Sequence, residues 1–121
     1  MIDFTVSGQP RPQGSKNIYR GRLVESAKGL KEWREAVAKE AAKQNFYTDQ
    51  AVEVLVHFYL ERPKTVKRER PSVKPDIDKL LRAIGDALTG TVVKDDSQIV
   101  SVSAKKEYGE PGARIQVVEI F

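Results

Sequence analysis

Apolar and polar positions alternate with a period of two in four stretches of the chain and recur at helical spacing in two others. Residues 2–7 (IDFTVS) place Ile2, Phe4 and Val6 on one side of an extended segment, the mark of a half-buried strand that stops at Gly8. Residues 51–60 (AVEVLVHFYL) put Val52, Val54, Val56 and Phe58 on one face and are rich in β-branched and aromatic side chains, which suits a central strand. Alternations at 98–106 and 113–120 flank the sequence EYGEPG and predict an antiparallel hairpin. From about Ser26 to Gln44, Leu30, Trp33, Val37 and Ala41 recur at helical spacing, with Lys28, Lys31, Glu35 and Lys39 largely off that line. The clearest helical stripe is Ile77, Leu80, Leu81, Ile84, Ala87 and Leu88, within residues 77–89 and closed by Gly90.

The segments between these elements are polar and basic. QPRPQGSKN, with Pro10, Pro12 and Gly14, excludes regular structure and predicts an exposed loop carrying Arg11 and Lys16. Residues 17–24 then predict a short hairpin around Gly21. Residues 62–74 (RPKTVKRERPSVK) hold six basic residues and one acid, a local net charge of +5. Such a run is often a solvated linker, but this one leads straight into an acidic helix, which tilts it toward phosphate binding. The main order is βαβαββ, predicting an α+β two-layer sandwich of two helices on a mixed, mostly antiparallel sheet.

Composition bounds the chemistry. The 121 residues, 40% hydrophobic and 31% charged, fit a single domain, 1–121, with one modest core. No run of about 18 apolar residues could span a bilayer, and no early apolar segment resembles a leader, so the expectation is a cytoplasmic protein with no membrane partner. Cysteine is absent and His57 is the single histidine, excluding thiolate sites and Cys nucleophiles. His57 falls on the opposite face of its strand from the valines, where packing is a commoner role than ligation. Any metal here must be held mainly by oxygen, which favours Mg²⁺, or Mn²⁺ in its place, over zinc. A net charge of +4 suits a polyanionic partner without identifying one.

The acids are placed suggestively. Asp76 follows Pro75 at the entrance of the second helix, and Asp78 lies in its first turn, where a carboxylate interacts favourably with the positive helix end. Capping accounts for both, yet not for the second pair, Asp95-Asp96, just after the helix. Clustered carboxylates repel unless a cation neutralises them, so convergence of these four acids would point to a divalent ion. A helix of 12 residues is about 18 Å long, so convergence does not follow from spacing alone. Asp78, Arg82 and Asp86 share a polar ridge, for which i,i+4 ion pairs are the simpler reading, above all for Asp86. Lys74, Lys79, Arg82 and Lys94 are the cations within reach to anchor or stabilise a phosphate.

The run KPDIDKLLRAIGDAL followed by VVKDDSQIV resembles the RusA family of Holliday-junction resolvases, most closely over residues 74–106. The resemblance implies a homodimeric, Mg²⁺-dependent endodeoxyribonuclease that nicks four-way junction DNA symmetrically in recombination and repair, commonly of phage or prophage origin. It places metal-binding acids at Asp76, Asp78 and Asp96, with Asp95 a neighbouring candidate, and puts Arg82 at the family's catalytic lysine position. Arginine keeps the charge but effectively never deprotonates, so phosphate stabilisation survives there and proton transfer does not. Lys79 stands where the family often has asparagine, leaving the catalytic cation open between Arg82 and Lys79. DNA-backbone contacts are expected from Arg11, Lys16, Lys67, Arg68, Arg70 and Lys74. Two rival readings are a non-catalytic basic module that binds structured nucleic acid, its acids serving as caps, and a related nuclease acting on flaps or forks.

Overall fold

The computed structural model describes the backbone of residues 1–14, 16–19, 22–25 and 29–121, and the side chains of residues 1–14 and 29–121. The elements run β1 (Ile2–Ser7), β2 (Lys16–Tyr19), β3 (Arg22–Glu25), α1 (Leu30–Ala42), β4 (Val52–Leu60), α2 (Ile77–Leu88), β5 (Ile99–Tyr108) and β6 (Gly112–Glu119). This is the α+β arrangement expected. The β2–β3 pair forms its own two-stranded antiparallel sheet, while its tip lies outside the described residues. The helical pattern expected from Ser26 begins at Leu30, after Gly29 in the left-handed region (φ 78°); Ser26 and Lys28 lie outside the described residues.

The larger sheet has the order β1-β6-β4-β5, so β4 is internal as its valine pattern predicts. Val52, Val54, Val56, Phe58 and Leu60 are buried on the side that carries the helices. They meet Leu30, Trp33, Val37 and Ala41 of α1 and Leu80, Ala83, Ile84, Ala87 and Leu88 of α2 in one core. On the other face His57 stacks on Tyr59, ring centroids 4.2 Å apart, and accepts or donates at Nδ1 to the tyrosine hydroxyl at 3.2 Å. Its Nε2 stands 3.1 Å from Glu107, off the direction a hydrogen bond requires.

The final hairpin is a correction. Strands β5 and β6 do not pair with each other: β4 inserts between them, parallel to β5 and antiparallel to β6. Alternation shows which face of a strand is buried but not which neighbour it chooses. The three residues Gly109–Pro111 step across the end of β4, a strand-to-strand span of about 10 Å, and Gly109 N donates to Leu60 O at 2.9 Å. The two chain ends then lie side by side, β6 pairing with β1.

Glycine is needed where that crossing meets β1. A Cβ at Gly112 would stand 2.5 Å from the Val6 carbonyl oxygen, a backbone atom that moves only with the sheet. Gly112→Ala is therefore expected to lower stability by about 2–3 kcal/mol, the scale of an overpacked core. Thermal unfolding of the variant measures this, and an unchanged midpoint would refute the account.

Candidate active site

Parallel pairing of β4 with β5 requires a crossover, and α2 is that crossover. Its start lies near the ends of β4 and β5, and its last turns lie near the beginning of β5. Asp76, the N-cap residue, has extended backbone (φ −70°, ψ 139°) and makes no side-chain cap hydrogen bond; its carboxylate instead faces Lys79 Nζ at 3.6 Å. Asp78, Arg82 and Asp86 follow at four-residue intervals on the exposed side, opposite the buried Leu80, Ile84 and Ala87.

The D-D-S-Q segment builds a small rigid device. Asp95 caps the 3-10 turn Asp96–Gln98 through Ser97 N at 2.9 Å, and Gln98 Oε1 accepts from Asp95 N at 2.9 Å. The Gln98 amide donates to the carbonyls of Thr48 and Gln50 at 2.9 and 2.8 Å, fastening the turn to the segment before β4. Asp96 is left directed at α2: a methyl group built on buried Gly85 would lie 3.7 Å from Asp96 Cβ and 3.8 Å from its Oδ2. Gln98 is the glutamine of the D-D-x-Q segment that carries the family resemblance, and its capping-box spacing from Asp95 matches this role; Gly85 had no comparable signal.

One open cleft of about 420 Å³ is lined by Gln13, Asp78, Leu81, Arg82, Gly85, Asp86, Asp96 and Ile99. Three carboxylates and one guanidinium thus share a surface. The ion pairs anticipated along the ridge are not what holds Asp86. Gln13 Nε2 donates to its carboxylate, Arg34 of α1 stands 3.6 Å from it, and Arg34 donates to Gln13 Oε1 at 3.0 Å. Gln13 N also donates to Lys79 O at 2.9 Å, so the amino-terminal loop is docked along α2.

Full convergence of the four expected acids does not occur. Among the described residues no group of three or more His, Asp or Glu side chains stands close enough to hold a metal ion. Length along the helix explains this: Asp96 meets α2 at Gly85, seven residues and about 10 Å beyond Asp78. Asp76 is turned to Lys79, and Asp95 is occupied as a cap. The donors that do share the cleft are all oxygens, which fits a hard divalent ion rather than a soft one.

The basic loop before α2 is organised by the last residues of β5. Arg62 lies over the Tyr108 ring, 5.0 Å from its centroid, and Arg68 donates to the Tyr108 hydroxyl at 3.0 Å. Lys67, Arg68, Arg70 and Lys74 are exposed on this loop. Arg11 lies apart, its side chain against Gly29 beside Trp33 in a separate groove. Lys16 opens β2, and its side chain lies outside the described residues. Among the described residues no helix is long and apolar enough to cross a membrane.

An α+β sheet protein with acids and a guanidinium in an open cleft, flanked by a basic loop, has the features of a protein that works on a phosphodiester backbone. Comparison with known proteins agrees. Residues 3–118 match the family described as Endodeoxyribonuclease RusA, and the chain belongs to that family. It is also 32% identical, over 138 aligned residues covering 98% of this chain and 96% of the other, to YqaN of Bacillus subtilis (strain 168), described as an uncharacterized protein.

The hydrogen bond from Ser97 holds the Asp95 carboxyl below its ordinary value of 3.8. A depressed native value means that Asp95 contributes stability above its unfolded midpoint and loses it as pH falls through the native one. Asp95→Ala should therefore be less stable than the parent at neutral pH, with the two converging as pH falls through the lowered native midpoint. Chemical denaturation across pH tests this; a constant difference would show that the cap is not electrostatic.

Proposed function

We propose that this chain is a divalent-metal-dependent endodeoxyribonuclease that resolves four-way DNA junctions as a homodimer, in recombination and repair. The observation that supports it most is the shared cleft, lined by Asp78, Asp96 and Arg82, on a helix that a loop of +5 charge leads into. Asp78 and Asp96 would hold Mg²⁺, or Mn²⁺, with Asp76, which faces Lys79 here, as the third acid. An ion bound there supplies an activated water and neutralises charge building on the scissile phosphate. Arg82 stabilises the same charge by hydrogen bonds and donates no proton. Of the two cations considered, Arg82 lines the cleft, whereas Lys79 is paired with Asp76, which favours Arg82.

Asp95 serves as a cap in this reading, and Asp86 as the anchor for Gln13 and Arg34. Lys67, Arg68, Arg70 and Lys74 contact backbone phosphates along the junction arms, with Arg11 and Lys16 on the amino-terminal side. Two symmetric nicks need two active sites, which a two-fold dimer provides.

A synthetic four-way junction and a linear duplex of the same sequence, each with Mg²⁺ or EDTA, test the proposal. Cleavage of the junction alone, and only with Mg²⁺, is the expected result. Equal cutting of both substrates would remove the junction specificity, and cutting in EDTA would remove the metal. Asp78→Asn and Asp96→Asn should each lower turnover by at least about two orders of magnitude while junction binding persists, and Arg82→Ala by about 10²–10³-fold. Binding without turnover in the parent protein would instead favour a non-catalytic module.

A further inference from the structure

Lys106 is a cation that the motifs do not include. It stands on β5 opposite Phe58, hence on the helix-facing side of the sheet, and is only partly exposed. Its Nζ donates to two main-chain oxygens, Val73 O and Pro75 O, each at 2.7 Å. These carbonyls bracket Lys74 and immediately precede Asp76.

The placement is electrostatically unexpected. A cation next to the start of a helix opposes the helix dipole, which favours anions there. It is offset locally by the two carbonyls, in charge-assisted bonds shorter than neutral ones usually are. From Leu80 onward α2 is held by Leu80, Ala83, Ile84, Ala87 and Leu88 in the core. Ahead of Leu80 the hold is slighter: Ile77 is only half buried, no side chain caps the helix, and the contact from the amino-terminal loop is Gln13 N to Lys79 O. Lys106 ties the segment that leads into this turn to β5.

We infer that Lys106 is a positioning residue, which sets the first turn of α2 and with it Asp76 and Asp78 relative to Asp96. This rests on the reading of those acids as the nuclease site. The role needs both donors and a charge at the end of a flexible stem. Methionine keeps the length and loses the donors, while arginine keeps charge and donors.

The experiment compares Lys106→Met, Lys106→Arg and the parent protein in three measurements: junction cleavage across Mg²⁺ concentrations, Mn²⁺ binding by electron paramagnetic resonance without DNA, and amide exchange along α2. Lys106→Met should lower kcat by about 10- to 100-fold, the cost of a misplacement near 1 Å, with KM for the junction little changed. It should weaken Mn²⁺ binding by about tenfold, as loss of a supporting partner does. Exchange should quicken at Leu80–Arg82 and not at Ala87–Leu88, and Lys106→Arg should recover most of each effect. Unchanged kcat, Mn²⁺ affinity and exchange would overturn the assignment. A rise in KM alone would also do so, by making Lys106 a DNA contact. Uniformly faster exchange along α2 would reduce Lys106 to a general stabiliser and likewise overturn it. If the parent cleaves no junction, the nuclease reading fails, and the exchange profile still decides whether Lys106 sets the first turn.

Discussion

The parallel pairing of β4 with β5 is the constraint on which the rest of the molecule depends. Strands that run the same way cannot be joined by a tight turn, so the chain must leave the sheet, cross over and return. The return path is α2, and its direction decides the site. Its beginning falls near the ends of β4 and β5, where the basic loop is gathered around Tyr108. Its final turns fall near the beginning of β5, where Asp96 stands against Gly85. Basic loop and carboxylates are therefore placed by one topological necessity.

The same pairing explains why the final strands part. Once β5 lies on one side of β4, β6 fills the other side, and β1 then closes on β6. Each insertion leaves main-chain groups to satisfy at the crossing points. Gly109 N closes the end of β4, and Gly112 allows β1 to come close. These glycines serve the crossing and not the chemistry.

Much of this was legible in the sequence because burial writes itself as period. The valines of β4, the stripe of α2 and the alternation of β1 each carry their own direction toward the core. What period cannot encode is which strands become neighbours, and the expected hairpin failed there. The site divides the same way. Asp78, Arg82 and Asp96 were legible as motif residues, but the distance between the acids depends on where the returning chain meets the helix. Asp95, a candidate as the neighbour of Asp96, caps its own turn through Ser97 N, a role that depends on the local backbone. Gln13, Arg34 and Lys106 lay beyond reach, since their partners are 73, 52 and about 30 residues away.

Gln13 carries a consequence of a different kind. Its side chain donates a hydrogen bond to a carboxylate and accepts one from a guanidinium at the same time, through the two ends of one neutral amide. No charged residue of that length can do both. Hydrolysis of that amide, a slow chemical change that ageing proteins undergo without any enzyme, would turn the donor into a second carboxylate facing Asp86. Asp86 would then lose its donor, and Arg34 would be left as the cation between two carboxylates where the amino-terminal loop meets α2. The molecule thus carries, at a single uncharged side chain, a point where chemical wear would register as a change of charge beside the cleft.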